Sequence, residues 1–132
     1  MFEVGQTAEF NFCISEKEME WFREISQDES YIHVSKEIAI KIGFKDVIVY
    51  GGLMMARISR MVGEYLPGRM GVSVKWEIDY YKPLYVDEEA TLKSEVVSFS
   101  KAANHLVCKF TIRTKDKLIA KGSTYSLVKN IS

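Results

Sequence analysis

The chain has 132 residues, of which 47% are hydrophobic and 12% aromatic, and its 18 basic and 18 acidic side chains cancel to a formal net charge of zero. That size and apolar content suit one folded domain with a real core and exclude a disordered chain. With no basic excess, neither nucleic acid nor an anionic membrane is an expected partner.

Met1-Phe2-Glu3-Val4-Gly5-Gln6 has neither the basic start nor the apolar run of an export signal. No segment reaches the roughly 20 apolar residues of a membrane span. Cys13 and Cys108 share no metal-ligand spacing and form no disulfide framework. The expectation is a cytoplasmic protein with no metal and two reduced, buried thiols.

In chain order, Gly5 to Phe12 alternates well enough for a first strand. Ser15 and Glu18 then form a capping-box pattern ahead of Met19, Trp21, Phe22 and Ile25, which predicts a short amphipathic helix ending near Ser26. This places Asp28 and His33 on the loop that follows. Ser35 is a good N-cap for a second short helix with Ile38, Ala39 and Ile42 on its apolar side, stopped by Gly43.

A third helix is predicted from about Leu53 to Tyr65, ended by Leu66-Pro67-Gly68. With Leu53, Met54, Met55, Ala56, Ile58, Met61 and Val62 it is apolar on most faces, the mark of a central, buried helix. Met54, Met55 and Met61 read as core, with an acyl pocket as a second use for thioethers near Gly52.

From Met70 the period changes to that of strands: Gly71 to Tyr81, broken by Pro83, then Glu89 to Phe99, Asn104 to Thr114 and Leu118 to Val128. The expected architecture is α+β, with one long helix wrapped by an antiparallel sheet whose last four strands form a meander, and a single domain over residues 1–132. His105 reads as a surface residue near a hairpin. Lys75, Lys82, Arg57, Arg60 and Arg69 read as solvated charge, with cofactor phosphates as the alternative.

The stretch that carries chemistry is Ser26-Gln27-Asp28-Glu29-Ser30-Tyr31-Ile32-His33, followed by Tyr50-Gly51-Gly52. It sets a carboxylate five residues before an imidazole, and a glycine pair at the start of an apolar helix. Water addition across a double bond conjugated to a thioester needs a base for the water, an acid for C2 and donors for the charge on the thioester oxygen. Asp28 and His33 suit the first two needs. The unpaired amides of Gly51 and Gly52 suit the third, because glycine leaves room for the thioester to approach. The alternatives are local: an Asp and a His that cap loop backbone, a Gly-Gly that only turns the chain, and a Tyr50 that only packs.

This run resembles the MaoC-like hot dog proteins, particularly the R-specific enoyl-CoA hydratases and 3-hydroxyacyl-thioester dehydratases. Asp28 and His33 match that family's spacing, followed by Ala39, Gly43-Phe44, Ile48-Val49-Tyr50-Gly51-Gly52, Leu66-Pro67-Gly68 and Tyr80-Tyr81-Lys82-Pro83-Leu84 before Asp87. The pattern covers roughly Glu16 to Val128. Ser30, Tyr31, Ser35, Tyr50 and Val86 stand where the family has asparagine, proline, aspartate, histidine and glycine.

The resemblance implies a hot dog domain acting as a hydro-lyase on an acyl thioester, with Asp28 and His33 catalytic. Gly51, with Gly52, would form the oxyanion donors; Ser30, able to bond Asp28 or the loop, and Tyr50, able to donate a hydrogen bond, are candidates for supporting roles. It implies no cofactor beyond the CoA or acyl-carrier pantetheine of the substrate, and a homodimer that joins two sheets with the sites at the interface. A hot dog acyl-CoA thioesterase and a non-catalytic acyl-binding module are the alternatives.

Overall fold

The computed structural model describes residues 1–130. After strand β1 (Thr7–Phe12), Ser15 Oγ accepts the Glu18 amide at 3.1 Å and the Glu18 carboxylate accepts the Ser15 amide at 2.9 Å. This reciprocal cap starts α1 (Glu16–Ser26) where the sequence predicts it. Gln27 ends the helix in the left-handed region at φ 58°, its amide returned to the Arg23 carbonyl at 2.8 Å.

The chain then makes one helical turn, α2 (Tyr31–Val34), so His33 sits on a helical turn and not on the expected loop. A second short helix, α3 (Lys36–Lys41), follows, with Ser35 Oγ accepting the Ile38 amide at 3.3 Å. Gly43, at φ 107°, closes it.

Helix α4 (Gly51–Glu64) begins two residues earlier than the apolar pattern predicts, drawing both glycines into its first turn. It buries Leu53, Met54, Ile58, Met61 and Val62 and turns Met55 and Ala56 to solvent. The helix is therefore two-faced and not apolar all round, and Met55 is not a core residue. Half-buried Arg57 ties it to α1 through Glu18 at 2.6 Å.

Strands β2 (Gly71–Tyr80), β3 (Ala90–Ser100), β4 (His105–Arg113) and β5 (Leu118–Val128) join β1 in one antiparallel sheet, ordered β1-β3-β4-β5-β2. The expected four-strand meander is thus confined to β3, β4 and β5. β2 pairs with the far side of β5, and β3 lies beside β1. The 81–89 connection cannot fold back as a hairpin because it is pinned to the segment before α4. There the Val49 amide donates to the Leu84 carbonyl at 2.8 Å, and Ile48 bridges Tyr85.

β2 can lie close to β5 because Gly122 stands opposite Ile78, where an added Cβ would fall 1.8 Å from the Glu77 carbonyl oxygen. The inward residues of the sheet, among them Phe10, Leu92, Phe110, Ile112 and Ala120, close on α4 as one apolar core.

Cys108 is buried, and burial pushes its thiol up despite hydrogen bonds with Ser94 and Thr124. Cys13 is exposed, contrary to expectation: Phe12 and Ile14 point inward, and the alternation of extended backbone turns the residue between them out. Among the described residues no helix is long and apolar enough to cross a membrane.

Candidate active site

The loop after α1 is shaped by Asp28. Its carboxylate accepts the Ser30 amide at 2.9 Å and, more closely, the Ser30 hydroxyl, an Asx-type turn that directs the chain into α2. The Ser30 hydroxyl, then its amide, and more weakly the charge of His33 hold the Asp28 carboxyl below its usual range against a small opposing effect of burial. Asp28 is therefore an anion at neutral pH.

His33 is fixed from three sides. Its amide donates to the Ser30 carbonyl at 2.9 Å, and its Nδ1 lies 2.8 Å from the Ile48 carbonyl oxygen. A carbonyl only accepts, so Nδ1 carries the proton of the neutral ring and Nε2 is left as the acceptor. The Ile48 amide in turn donates to the Ile32 carbonyl at 2.9 Å, which binds α2 to the 47–50 segment. The third side is the ring of Tyr50, stacked on the imidazole with centroids 4.2 Å apart and planes inclined at 28°.

Tyr50 is only 2% exposed, yet its hydroxyl reaches back to donate to the Asp28 carbonyl at 2.7 Å, and Phe22 packs on its other flank at 4.8 Å. It thus packs and also donates a hydrogen bond, touching both residues of the expected acid–base pair. Burial, and after it the charge of Asp28, raises its phenol, which stays protonated.

Tyr50 is also the N-cap of α4, and it has no side-chain oxygen placed to cap that helix. Among the described residues the amides of Gly51 and Gly52 donate to no protein acceptor, and they stand at the positive end of the helix dipole. Gly52 must lack a side chain: a Cβ there would lie 2.2 Å from the Phe22 ring.

His33 and Gly51 line one cavity of about 380 Å³, walled further by Phe44, Met54, Tyr80 and Leu84. A second hollow of about 380 Å³ lies across the imidazole, bounded by Tyr50, Met19, Arg23 and Lys36. Asp28, Ser30 and Gly52 do not line the first cavity. Asp28 is linked to it through its backbone carbonyl, which accepts the hydroxyl of Tyr50, the ring stacked on His33.

Of the candidate phosphate contacts, only Lys82 lines that cavity. Arg57 and Arg69 pair with Glu18 and Glu64, Arg60 lies over the Phe10 ring at 4.0 Å, and Lys75 approaches Glu77 at 3.8 Å. His105 is half-buried at the start of β4. No cluster of three or more metal-ligating side chains occurs among the described residues.

Two contacts escape a sequence reading. The Ile48 carbonyl carries no side-chain signal at all. Tyr80, whose hydroxyl donates to the Gly51 carbonyl at 2.9 Å, meets that glycine across 29 positions and only through the register of β2.

A single antiparallel sheet wrapped around one long helix, with uncapped glycine amides at the helix start, defines a hot dog protein. The family model described as the MaoC-like domain matches residues 2–117, and the chain belongs to that family. It is 28% identical over 96 residues to an (R)-specific enoyl-CoA hydratase of Aeromonas caviae, covering 73% of this chain and 72% of that protein. Over 113 residues it is 23% identical to a mitochondrial 3-hydroxyacyl-[acyl-carrier-protein] dehydratase of Arabidopsis thaliana, covering 86% and 67% respectively. A solved (R)-hydratase structure from A. caviae superposes with a TM-score of 0.90 at 24% identity, over 97% of this chain and 98% of that one, and shows the same fold.

Proposed function

We propose that the protein is a hydro-lyase that adds or removes water across the 2,3 bond of an acyl thioester carried on CoA or an acyl carrier protein. The observation that carries this reading is the cavity shared by His33 and Gly51: an imidazole held with Nε2 as acceptor faces the same space as a helix start whose amides are unclaimed. It agrees with the names of the hydratase and dehydratase relatives.

In the hydration direction, a water donates its hydrogens to the Asp28 carboxylate and to His33 Nε2 and presents its lone pair to C3 of the enoyl group. As the C3–O bond forms, Asp28 takes a proton from the water and negative charge moves onto the thioester oxygen. The Gly51 amide, assisted by Gly52, stabilises that charge, and one such donor contributes about 3 kcal/mol. The proton returns to C2 through the Asp28 and His33 pair, and the reverse sequence is the dehydration. Ser30 keeps Asp28 ionised, and Tyr50 holds both members of the pair in place.

A homodimer belongs to this reading. Among the described residues the outer edge of β2 is unpaired, and β2 carries Val72 and Val74, which are 50% and 57% exposed. A long edge strand with outward valines is the kind of edge that a second copy covers.

The test is turnover of crotonyl-CoA followed by loss of enoyl absorbance. Asp28→Asn and His33→Ala are each expected to lower it by about 10²–10⁴-fold, the usual weight of a proton-transfer group. Activity that survives both substitutions refutes the assignment. Release of free thiol from acyl-CoA without hydration would make the protein a thioesterase, and tight acyl-CoA binding without turnover would make it a binding module.

A further inference from the structure

Tyr80, the last residue of β2, opens the Tyr80-Tyr81-Lys82-Pro83-Leu84 run, and its side chain reaches the glycine at the start of α4. Its hydroxyl donates to the Gly51 carbonyl at 2.9 Å, and glycine at position 51 leaves room for that approach: a Cβ there would lie 2.8 Å from the same hydroxyl and push the ring tip aside. The carbonyl of residue 51 and the amide of residue 52 are the two ends of one planar peptide group. A donor on the oxygen draws density from the nitrogen and makes the Gly52 N–H a stronger hydrogen-bond donor. The preceding peptide is treated the same way, since the Tyr50 carbonyl, joined to the Gly51 N–H, accepts the Leu53 amide at 3.0 Å.

We propose that Tyr80 is a positioning residue of the oxyanion site: through the Gly51 carbonyl it orients and polarises the Gly51–Gly52 peptide, while its ring walls the space for the acyl group. The inference rests on the hydro-lyase reading and deepens it. It gives the amide of Gly52, which itself stands just outside the residues lining the cavity, a share in the charge on the thioester oxygen beside Gly51, and it makes the apolar wall of Tyr80 and Met54 the acyl side of the cavity. Tyr80 is 46% exposed, and its phenol, protonated at neutral pH in any case and raised further by what burial there is, is a donor.

Tyr80→Phe keeps the ring and removes only the hydroxyl. The expected result is a kcat lower by about three- to tenfold, the scale of one neutral hydrogen bond, with KM for crotonyl-CoA unchanged. Turnover is bypassed in the Asp28→Asn protein, where the carbonyl stretch of bound crotonyl-CoA, ¹³C-labelled at the thioester carbon, reads the oxyanion donors directly. Adding Tyr80→Phe should reduce its shift to low frequency, and 3-fluorotyrosine at the same position, a stronger donor, should increase it. A native kcat with a native carbonyl stretch in Tyr80→Phe overturns the proposal, as does a change in KM alone. If the unaltered protein turns over no enoyl thioester, it is the hydro-lyase reading that fails, and this is known before any variant of Tyr80 is made.

Discussion

Tyr50 lies flat against His33, ring centroids 4.2 Å apart, and the same side chain hydrogen-bonds the backbone of Asp28. One buried aromatic thus sets the position of the imidazole and of the loop that carries the carboxylate. Tyr50→Phe keeps the stack and loses the hydroxyl, so it should cost about 1 kcal/mol of stability. Tyr50→Ala loses the stack and opens the core, and should cost about 3–5 kcal/mol. Denaturant titration measures both. With crotonyl-CoA, Tyr50→Phe should retain a reduced kcat and Tyr50→Ala almost none.

If Asp28 is the base proposed above, Ser30 sets the acid limit of activity. The Ser30 hydroxyl is the largest of the influences that hold Asp28 below the ordinary carboxylate range. A base with a depressed pKa stays ionised, and the enzyme active, until the pH falls through that low value. Ser30→Ala should move the acid limb of kcat/KM to higher pH while leaving the rate at neutral pH nearly unchanged. A pH–rate profile checks this, and an unmoved limb would assign it to a group other than Asp28.

Glu18 couples the start of α1 to α4. Burial raises its carboxyl, but the Ser15 amide and the Arg57 guanidinium outweigh burial and leave it lowered. Such a group stabilises the fold above its unfolded-state pKa of about 4.3, and the contribution is lost as pH falls through the lower folded-state value. Glu18→Ala should therefore cost roughly 1–2 kcal/mol at neutral pH, from the lost cap and ion pair. The difference from the unaltered protein should vanish in acid, as thermal melts across pH would show.

At Gly122 the test is steric. A methyl group there meets the Glu77 carbonyl oxygen at 1.8 Å and the Phe110 ring at 2.9 Å, and the first of these is backbone that cannot swing aside. Gly122→Ala should cost about 2–3 kcal/mol as overpacking and push β2 away from β5. Because β2 carries Tyr80, turnover should fall by more than the folded fraction does when both are measured at one temperature.

The residues differ in how far their places could be read from sequence. Ser15 with Glu18, and Ser35 with Ile38, satisfy rules that span three residues, and the structure places those helix starts as expected. The three last strands also follow from local alternation. The sheet order does not, because the partner of β2 is decided by where the 81–89 connection is anchored, at Ile48 and Val49, and no period in the sequence encodes that anchor. The one-turn helix at His33 is too short to leave a periodic trace. Asp28, His33 and Gly51 stand at family spacing in the sequence and so could be proposed from it, whereas the Tyr80 hydroxyl depends on a register visible only once the sheet is assembled.

The start of α4 illustrates a conflict between a helix and the pocket it serves. An aspartate, serine or threonine before Gly51 would accept from the second or third amide of the helix, here that of Gly52 or Leu53, and such caps typically stabilise a helix by about 1 kcal/mol. Tyr50 offers the helix no such cap and is occupied instead with His33 and Asp28. A smaller capping side chain at position 50 would gain about that much at the helix start, lose about 3–5 kcal/mol from the buried ring, and compete for the Gly52 amide that the proposed site uses. The buried ring thus lets the chain leave a helix start bare with no net loss of stability, which is the condition for its amides to serve a ligand.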